Sequence, residues 1–199
     1  MFNKPFAQSC EENKSVILNE LLTVFLKCKN VLELGSGTGQ HAVYFAKHLP
    51  HLNWQPSELE ENINGIKLWM EEVALNNINE PKIIDVVNDD WFFSEKFDGA
   101  FTANTLHIMS IKHVENIFTG VSKYLAKGGS FCCYGPFNKN GQFTSDSNAK
   151  FDIWLKQRDA KSGIRDMSEL ISFAEAVGIA LVDDIEMPAN NRLLVWKKI

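Results

Sequence analysis

The densest group of chemically suggestive residues is Glu33-Leu34-Gly35-Ser36-Gly37-Thr38-Gly39, where a short apolar run gives way to a helical pattern. Glycines at a strand end permit a tight turn and let the backbone approach a ligand closely. The spacing is GxGxG. A dinucleotide fingerprint, GxGxxG, needs a third glycine at position 40, and that residue is Gln40. Hydride transfer with a nicotinamide is disfavoured on this ground. Two histidines suit proton transfer near neutral pH. They are His107, closing Asn104-Thr105-Leu106-His107, and His41, at the start of the helix after the glycines. For each, the competing reading is a structural histidine that hydrogen-bonds a neighbouring loop. Tyr134 ends another apolar run, and Asn138, Ser145, Ser147, Asn148 and Arg165 follow it with hydroxyls, amides and one guanidinium. Arg165 suits a substrate carboxylate or phosphate, or else a salt bridge with Asp166 or Asp159.

These residues need a sheet to bring them together, and the chain alternates strand, helix, strand. A helix over Ser15 to Lys27 precedes strands at Asn30 to Leu34, Leu52 to Pro56, Lys82 to Val87 and Phe97 to Ala103, with helices at Gln40 to His48 and Glu60 to Asn76 between them. A helix over Ile111 to Leu125, stopped by Gly128-Gly129, leads to a fifth strand at Ser130 to Tyr134. Gly135 to Ile164 loses regular pattern and gains Gly, Asn and Ser, as functional loops beyond a strand end often do. A helix over Ser168 to Val177 precedes strands at Ala180 to Glu186 and Arg192 to Trp196. The loop Met187-Pro188-Ala189-Asn190-Asn191 is too short for a crossover, so these last two strands are antiparallel. The fold class is α/β: a doubly wound, mostly parallel seven-stranded sheet with an antiparallel last strand.

Composition narrows the function. The 199 residues form one domain, 1–199, and 45% apolar content supplies a core. Lys and Arg number 20 against 25 Asp and Glu, a net charge of −5, so the concentrated basic field of a nucleic-acid binder is missing and no nucleic-acid partner is expected. Cys10, Cys28, Cys132 and Cys133 have no metal-ligand spacing; they are expected as reduced thiols, and no metal is expected. No apolar stretch approaches the roughly 18 residues of a membrane span, and Met1-Phe2-Asn3-Lys4-Pro5-Phe6 runs into polar sequence without a signal-peptide core. A soluble, cytoplasmic protein without membrane contact is expected.

With the glycine turn, the preceding acid and this element order in place, the chain resembles the class I S-adenosylmethionine-dependent methyltransferases over nearly its whole length. Their first motif is an acid followed by GxGxG after the first strand, and their sheet is the Rossmann-like methyltransferase fold. The resemblance implies S-adenosyl-L-methionine as cofactor. Glu33 then lies near the methionine amino group, and the Gly35, Ser36, Gly37, Thr38 and Gly39 backbone curves around methionine and ribose. A carboxylate near a sulfonium and an ammonium is favourable. Glu58 matches the ribose-binding acid, although Asp is commoner there, and Asp85-Val86 matches the adenine-binding motif. Asn88, Asp89 and Asp90 compete for the Asp85 role, and Asn104 joins the cofactor set. Trp91 is a candidate cover for adenine; Trp91, Phe137 and Phe143 sit on loops where a planar substrate could lie.

A closer match is to the methyltransferase-like protein 26 family. It is carried by Glu12-Asn13-Lys14, Ser36 to Ala42, Trp54-Gln55-Pro56-Ser57, Asn104 to Ile108, Tyr134-Gly135-Pro136-Phe137, Ser145 to Asn148 with Phe151-Asp152, Gly163 to Asp166 and Met187 to Asn191. The resemblance does not name the acceptor; the expected function is transfer of a methyl group to an oxygen or nitrogen of a small molecule. His107, His41 and Tyr134 are the catalytic candidates, and Asn138, Ser147, Asn148 and Arg165 the substrate contacts. Residues 135–165 act as a substrate cover, and 1–29 as an N-terminal helical segment in which Asn13 and Lys14 fold over the cofactor. Amino-group methyltransferases acting on adenine, cytosine or glutamine commonly carry Asn or Asp before Pro-Pro-aromatic at this strand end, whereas Thr105-Leu106-His107 follows Asn104 here. That chemistry is disfavoured. A non-catalytic cofactor-binding sensor and a protein methyltransferase are the alternative readings.

Overall fold

The computed structural model describes residues 4–88 and 90–199. In chain order the elements are α1 (Gln8–Val24), β1 (Asn30–Leu34), α2 (Gln40–His48), β2 (Asn53–Glu58), α3 (Ile63–Glu71), β3 (Lys82–Ile83), β4 (Phe97–Ala103) and α4 (Ile111–Tyr124). There follow β5 (Leu125–Gly135), β6 (Phe137–Asn138), α5 (Asp146–Arg158), β7 (Arg165–Asp166), α6 (Met167–Ala176), β8 (Ile179–Met187) and β9 (Asn191–Lys198). Seven strands make one sheet in the order β3-β2-β1-β4-β5-β9-β8, parallel except for β9, which runs antiparallel to both neighbours. This is the doubly wound α/β sheet expected from the alternation of elements. β6 and β7 pair separately.

Side-chain alternation along each strand divides the core into two layers. Val31, Phe101, Cys132 and Val195 face α1 and α2, whereas Leu32, Ala100, Cys133 and Leu194 face the opposite side with α4 and α6. The neighbours Cys132 and Cys133 therefore lie in different layers, both buried as free thiols. Glu33 shares the parity of Val31 and so enters the layer holding Trp54 and Phe101.

Several expectations change: α1 runs from Gln8 to Val24 rather than Ser15 to Lys27, and the helix after β2 ends at Glu71 rather than Asn76. β3 ends at Ile83 rather than Val87 because the Asp85 carboxylate accepts from the Val87 N–H at 3.0 Å, and the Asp85 carbonyl accepts from the Asn88 N–H at 3.0 Å; an Asx turn replaces the ladder. The helix before β5 stops at Tyr124, and Gly128 takes φ +77° inside a register shift against β4 rather than capping the helix. The stretch 135–165 is largely ordered as β6, α5 and β7. Ser145 caps α5 by accepting from the Asn148 N–H at 3.1 Å. Helix α5 buries Asn148, Asp152 and Leu155 while exposing Ile153 and Trp154, so its sequence carries no apolar period to read.

The carboxyl ends of β1, β2, β4 and β5 meet at one edge of the sheet, where the strand order reverses between β1 and β4; in open α/β sheets ligands bind at such a point. Among the described residues no helix is long and apolar enough to cross a membrane. The layer on the α4 side is tightly filled: a Cβ added at Gly120 would lie 2.1 Å from the Trp91 indole. Gly120→Ala is expected to cost at least about 1–3 kcal/mol through overpacking, measured as a lower midpoint in urea unfolding.

Candidate functional site

The glycine turn between β1 and α2 has Gly35, Gly37 and Gly39 at φ +69°, +56° and +91°. Two of these are demanded by packing. A Cβ on Gly35 would meet the Thr105 side chain at 2.8 Å, and one on Gly39 the Ile66 Cα at 2.8 Å. Gly37 has nothing within 4 Å. Its backbone therefore faces open space beside Pro5, Glu61, Asn62 and Leu68, as a cradle for a ligand requires. The Gly37 N–H donates to Glu58 Oε2 at 2.7 Å, and the Leu59 N–H donates to Glu58 Oε1 at 2.9 Å, which fixes the Glu58 carboxylate at the rim.

Beneath the turn lies Glu33, 2% exposed. Its Oε2 accepts from the Ser36 hydroxyl at 2.8 Å and from the Trp54 indole N–H at 3.0 Å. Burial, with a smaller contribution from nearby Glu58, raises the carboxyl to about 7 despite those two donors. The thiol of Cys10 on α1 is pushed up to about 11 by burial and by Glu33, so α1 carries a neutral group over this carboxyl.

Gln40, which breaks the dinucleotide spacing, ties the turn to the N-terminal segment. Its Oε1 accepts from the Ala7 N–H at 2.6 Å and the Thr38 hydroxyl at 3.0 Å, and its Nε2 donates to Glu11 at 2.7 Å. Pro5 packs on Gly65 and accepts from the Trp69 indole at 2.8 Å, which fixes the chain before α1 against α3. Met1 to Asn3, the start of the expected helical segment, lie outside the described residues.

Across β4, a groove of about 580 Å3 opens between α1 and α5. Asn104 and His107 from the β4 end, Tyr134 from β5, and Ser147 and Asn148 from α5 all line it, together with Asn13 from α1. Asn104 has φ +55°, a left-handed conformation that Asn tolerates better than most side chains. His107 is 7% exposed, its ring edge-on to Phe151 at 5.3 Å. Burial first, and then the Arg165 charge, lower it to about 4, so it is a neutral acceptor at pH 7. Tyr134 is pushed up by burial and stands beside Asn13 and Asn191. Its hydroxyl keeps its proton at neutral pH and can donate a hydrogen bond.

Several assigned residues have other work. His41 does not line the groove: it stacks on Phe45, and its Nε2–H donates to Asn13 Oδ1 at 2.7 Å, so it orients the groove residue Asn13. Among the described residues Arg165 makes no ion pair with Asp166 or Asp159. It clamps the His107 loop through the carbonyls of Leu106 at 3.1 Å and Met109, and that of Lys161 at 2.8 Å. Asn138 belongs to β6 and pairs with Asp166 of β7, its Nδ2 donating to the Ile164 carbonyl and its Oδ1 buried without a partner. Lys14 pairs with Glu11 and lies over the Tyr44 ring rather than the groove.

The adenine candidates also sort themselves. Asp85 is exposed beyond β3, whereas the Val86 side chain is buried in the core. Asp90 is committed to the Tyr124 hydroxyl, the Phe92 N–H and Lys123, and Asp89 lies outside the described residues. Trp91 is a core residue, 3% exposed and stacked on Tyr124 at 5.6 Å, and Phe137 is 2% exposed; neither covers a ligand, and Phe143 does not line the groove. The aromatic wall is instead Phe151 and Trp154 on α5, seven and four positions before Arg158. Their i, i+3, i+7 spacing is the one signal by which the sequence could have revealed them.

A family model described as a protein of unknown function, DUF938, matches residues 4–198. Three solved structures illustrate the fold likeness. An O-methyltransferase family protein from Burkholderia thailandensis superposes with TM-score 0.85 at 14% identity, over 96% of this chain and 56% of its own. The mitomycin 7-O-methyltransferase MmcR gives 0.77 at 15%, over 93% and 55%. Human N-acetylserotonin methyltransferase in complex with S-adenosylmethionine gives 0.77 at 14%, over 96% and 53%. The chain thus spans about half the length of these structures, and at such identities the likeness concerns the fold.

The position of Glu33 makes stability depend on pH. The folded chain keeps the Glu33 proton up to about pH 7, whereas the group ordinarily loses it near 4.5. Between these values the folded state binds more protons than the unfolded one, so stability falls as pH rises and levels off above about 7. The stability difference between wild type and Glu33→Gln is expected to shift in favour of the variant by roughly 2–3 kcal/mol from pH 5 to pH 8, read from urea unfolding at each pH.

Proposed function

The chain belongs to the DUF938 family, and from that premise we propose that it binds S-adenosylmethionine at the glycine turn and methylates an oxygen or nitrogen of a small molecule held in the adjoining groove. The observation that carries the reading is the juxtaposition at one sheet edge of two features. One is a glycine cradle over a buried carboxyl; the other is a groove of about 580 Å3 containing a neutral histidine. That volume lies within the range of small-molecule sites. The finer kinship, with the methyltransferase-like protein 26 family, belongs to the proposal through Asn104 to Ile108, Tyr134 to Phe137 and Met187 to Asn191.

The residues present fit the cofactor. Glu33, near its titration midpoint at pH 7, regains its charge when a cation is brought beside it. Glu58 at the rim would accept hydrogen bonds from ribose hydroxyls, the backbone at Gly37 leaves room for a close approach, and Asp85 with the Val86 backbone would serve an adenine edge. The cofactor when bound supplies an electrophilic methyl carbon on a sulfonium. The protein's task is to align a nucleophile with it and take up a proton.

His107 performs that second task. Its ring is uncharged above about pH 4, so it is always available as an acceptor at neutral pH. A hydroxyl becomes strongly acidic as it develops positive charge during attack, so even this weak base takes its proton at a ring nitrogen and returns it to solvent at the groove mouth. Tyr134 donates a hydrogen bond, and Asn13, fixed by His41, holds the acceptor from the α1 side.

Calorimetric titration with S-adenosylmethionine and its demethylated product tests the reading. The wild type is expected to bind both at micromolar concentration, more tightly at pH 8 than at pH 6, with a proton released from Glu33 near pH 7. Gly37→Arg is expected to fold, since nothing lies within 4 Å of the added Cβ, at a cost of about 1–2 kcal/mol for its left-handed backbone, and to lose binding. No binding by the wild type overturns the proposal. His107→Gln is expected to keep cofactor affinity and to lose methyl transfer by about 10²-fold or more; unchanged turnover removes His107 as the base.

A further inference from the structure

The wall of the groove formed by α5 carries an arrangement that methyl transfer itself does not need. Phe151 and Trp154 are stacked with ring centroids 5.7 Å apart and planes at 18°, and the guanidinium of Arg158 lies 4.7 Å from the Trp154 ring centre. All three line the groove, and Phe151 in turn touches the His107 ring edge-on. Along one side of the cavity the order is therefore base, aromatic ring, aromatic ring, cation.

Two features of this wall point to a ligand. Trp154 is 47% exposed, an unusual position for a side chain with so much apolar surface, and the groove is where that surface is offered. Among the described residues no carboxylate pairs with Arg158. A cation in the last turn of α5 suits the helix dipole, yet the dipole does not ask the guanidinium to lie over Trp154 on the groove side. An arginine so placed keeps its donors free at the edge of a flat apolar platform, the geometry that recognises a planar oxyanion. Among the described residues Glu12 is the one acidic side chain lining the groove, and it comes from α1 on the opposite wall. The negative end of an acceptor is thus directed away from α1, toward the C-terminal end of α5.

We propose that the acceptor is a planar aromatic small molecule bearing an oxyanion, a carboxylate or a phosphate, that stacks on Trp154 with the anion on Arg158 and the nucleophilic group toward His107. This rests on the groove being the acceptor site of the proposed methyltransferase, but its test is binding and needs neither cofactor nor turnover.

The experiment titrates the full chain without cofactor, by tryptophan fluorescence and calorimetry, with four probes. They are 4-hydroxybenzoate, phenyl phosphate, uncharged 4-hydroxybenzamide and non-planar cyclohexanecarboxylate. At least one aromatic anion is expected to bind about tenfold more tightly than both the amide and cyclohexanecarboxylate, and the tighter of the two identifies carboxylate or phosphate. Arg158→Gln is expected to lose that preference over the amide, while the amide's own affinity and the S-adenosylmethionine affinity stay unchanged. Trp154→Leu is expected to lose the preference for the planar anion over cyclohexanecarboxylate. Both side chains are solvent-exposed, so thermal melts within a few degrees of wild type are expected and keep binding loss separate from unfolding. Equal affinity for anion and amide, a preference that survives Arg158→Gln, or no binding of any probe at millimolar concentration overturns the inference. Anion binding in a chain that does not bind S-adenosylmethionine leaves the groove assignment standing and overturns the methyltransferase reading alone.

Discussion

The site is organised around a carboxyl group that the fold buries at a cost. Side-chain alternation on β1 carries Glu33 into an aromatic layer, where it is held by Ser36 of the glycine turn and Trp54 of β2. Ser57 closes the network by donating to the Glu33 carbonyl at 2.6 Å, and its own N–H donates to the Ser36 hydroxyl at 3.2 Å. Adjacent strands and the turn between β1 and α2 are thereby locked around one group. Two hydrogen bonds do not offset the desolvation of a charge, so the carboxyl stays poised near neutrality. A fold that retains such a group keeps at its ligand edge a charge that a cation can call up.

The groove depends on a second set of contacts, in which side chains of α5 and the segment after it meet backbone N–H and C=O groups. Asp152 on α5 accepts from the Ile164 N–H at 2.8 Å, and the segment after it grips the His107 loop: the Gly163 N–H donates to the His107 carbonyl at 2.9 Å, the Ser162 hydroxyl to that of Ile108 at 3.2 Å, and Arg165 to Leu106 and Met109. Helix α5 and the loop bearing His107 are one mechanical unit. The same logic governs the opposite wall, where Gln40 and His41, adjacent at the start of α2, hold the N-terminal chain and Asn13. The residues that read as chemical in isolation are in several cases the ones that fix the position of others.

Much of the architecture is legible because it rests on local rules. The strand after Asn30, the glycine turn, the antiparallel final hairpin and the opposite faces of Cys132 and Cys133 follow from apolar periodicity, glycine freedom and a loop too short for a crossover. Helix α5 is not legible, because it spends its inward face on Asn148 and Asp152 and presents Trp154 to the groove. A helix that satisfies polar backbone on its inner side has no apolar stripe. β3 is cut short for a similar reason, its ladder yielding to the Asp85 side chain.

The candidate site divides along the same line. The sequence by itself determined which residue types stand at the carboxyl ends of the strands: the acid on β1 with the glycines after it, Glu58 at the end of β2, Asn104 and His107 after β4, and Tyr134 on β5. Strand order and chain direction place all of those at one edge. Only the tertiary structure decided which side chains turn into the groove and which are consumed elsewhere, so that Arg165 became a clamp, His41 a support, Trp91 and Phe137 core, and Trp154 with Arg158 an open wall. A side chain's partners depend on segments far away in sequence, and Arg165 finds carbonyls at Leu106 and Met109 across more than fifty residues. Spacing along the chain sets the parity and edge of a residue. The unmet hydrogen-bonding groups that it must satisfy exist only once the whole sheet has closed.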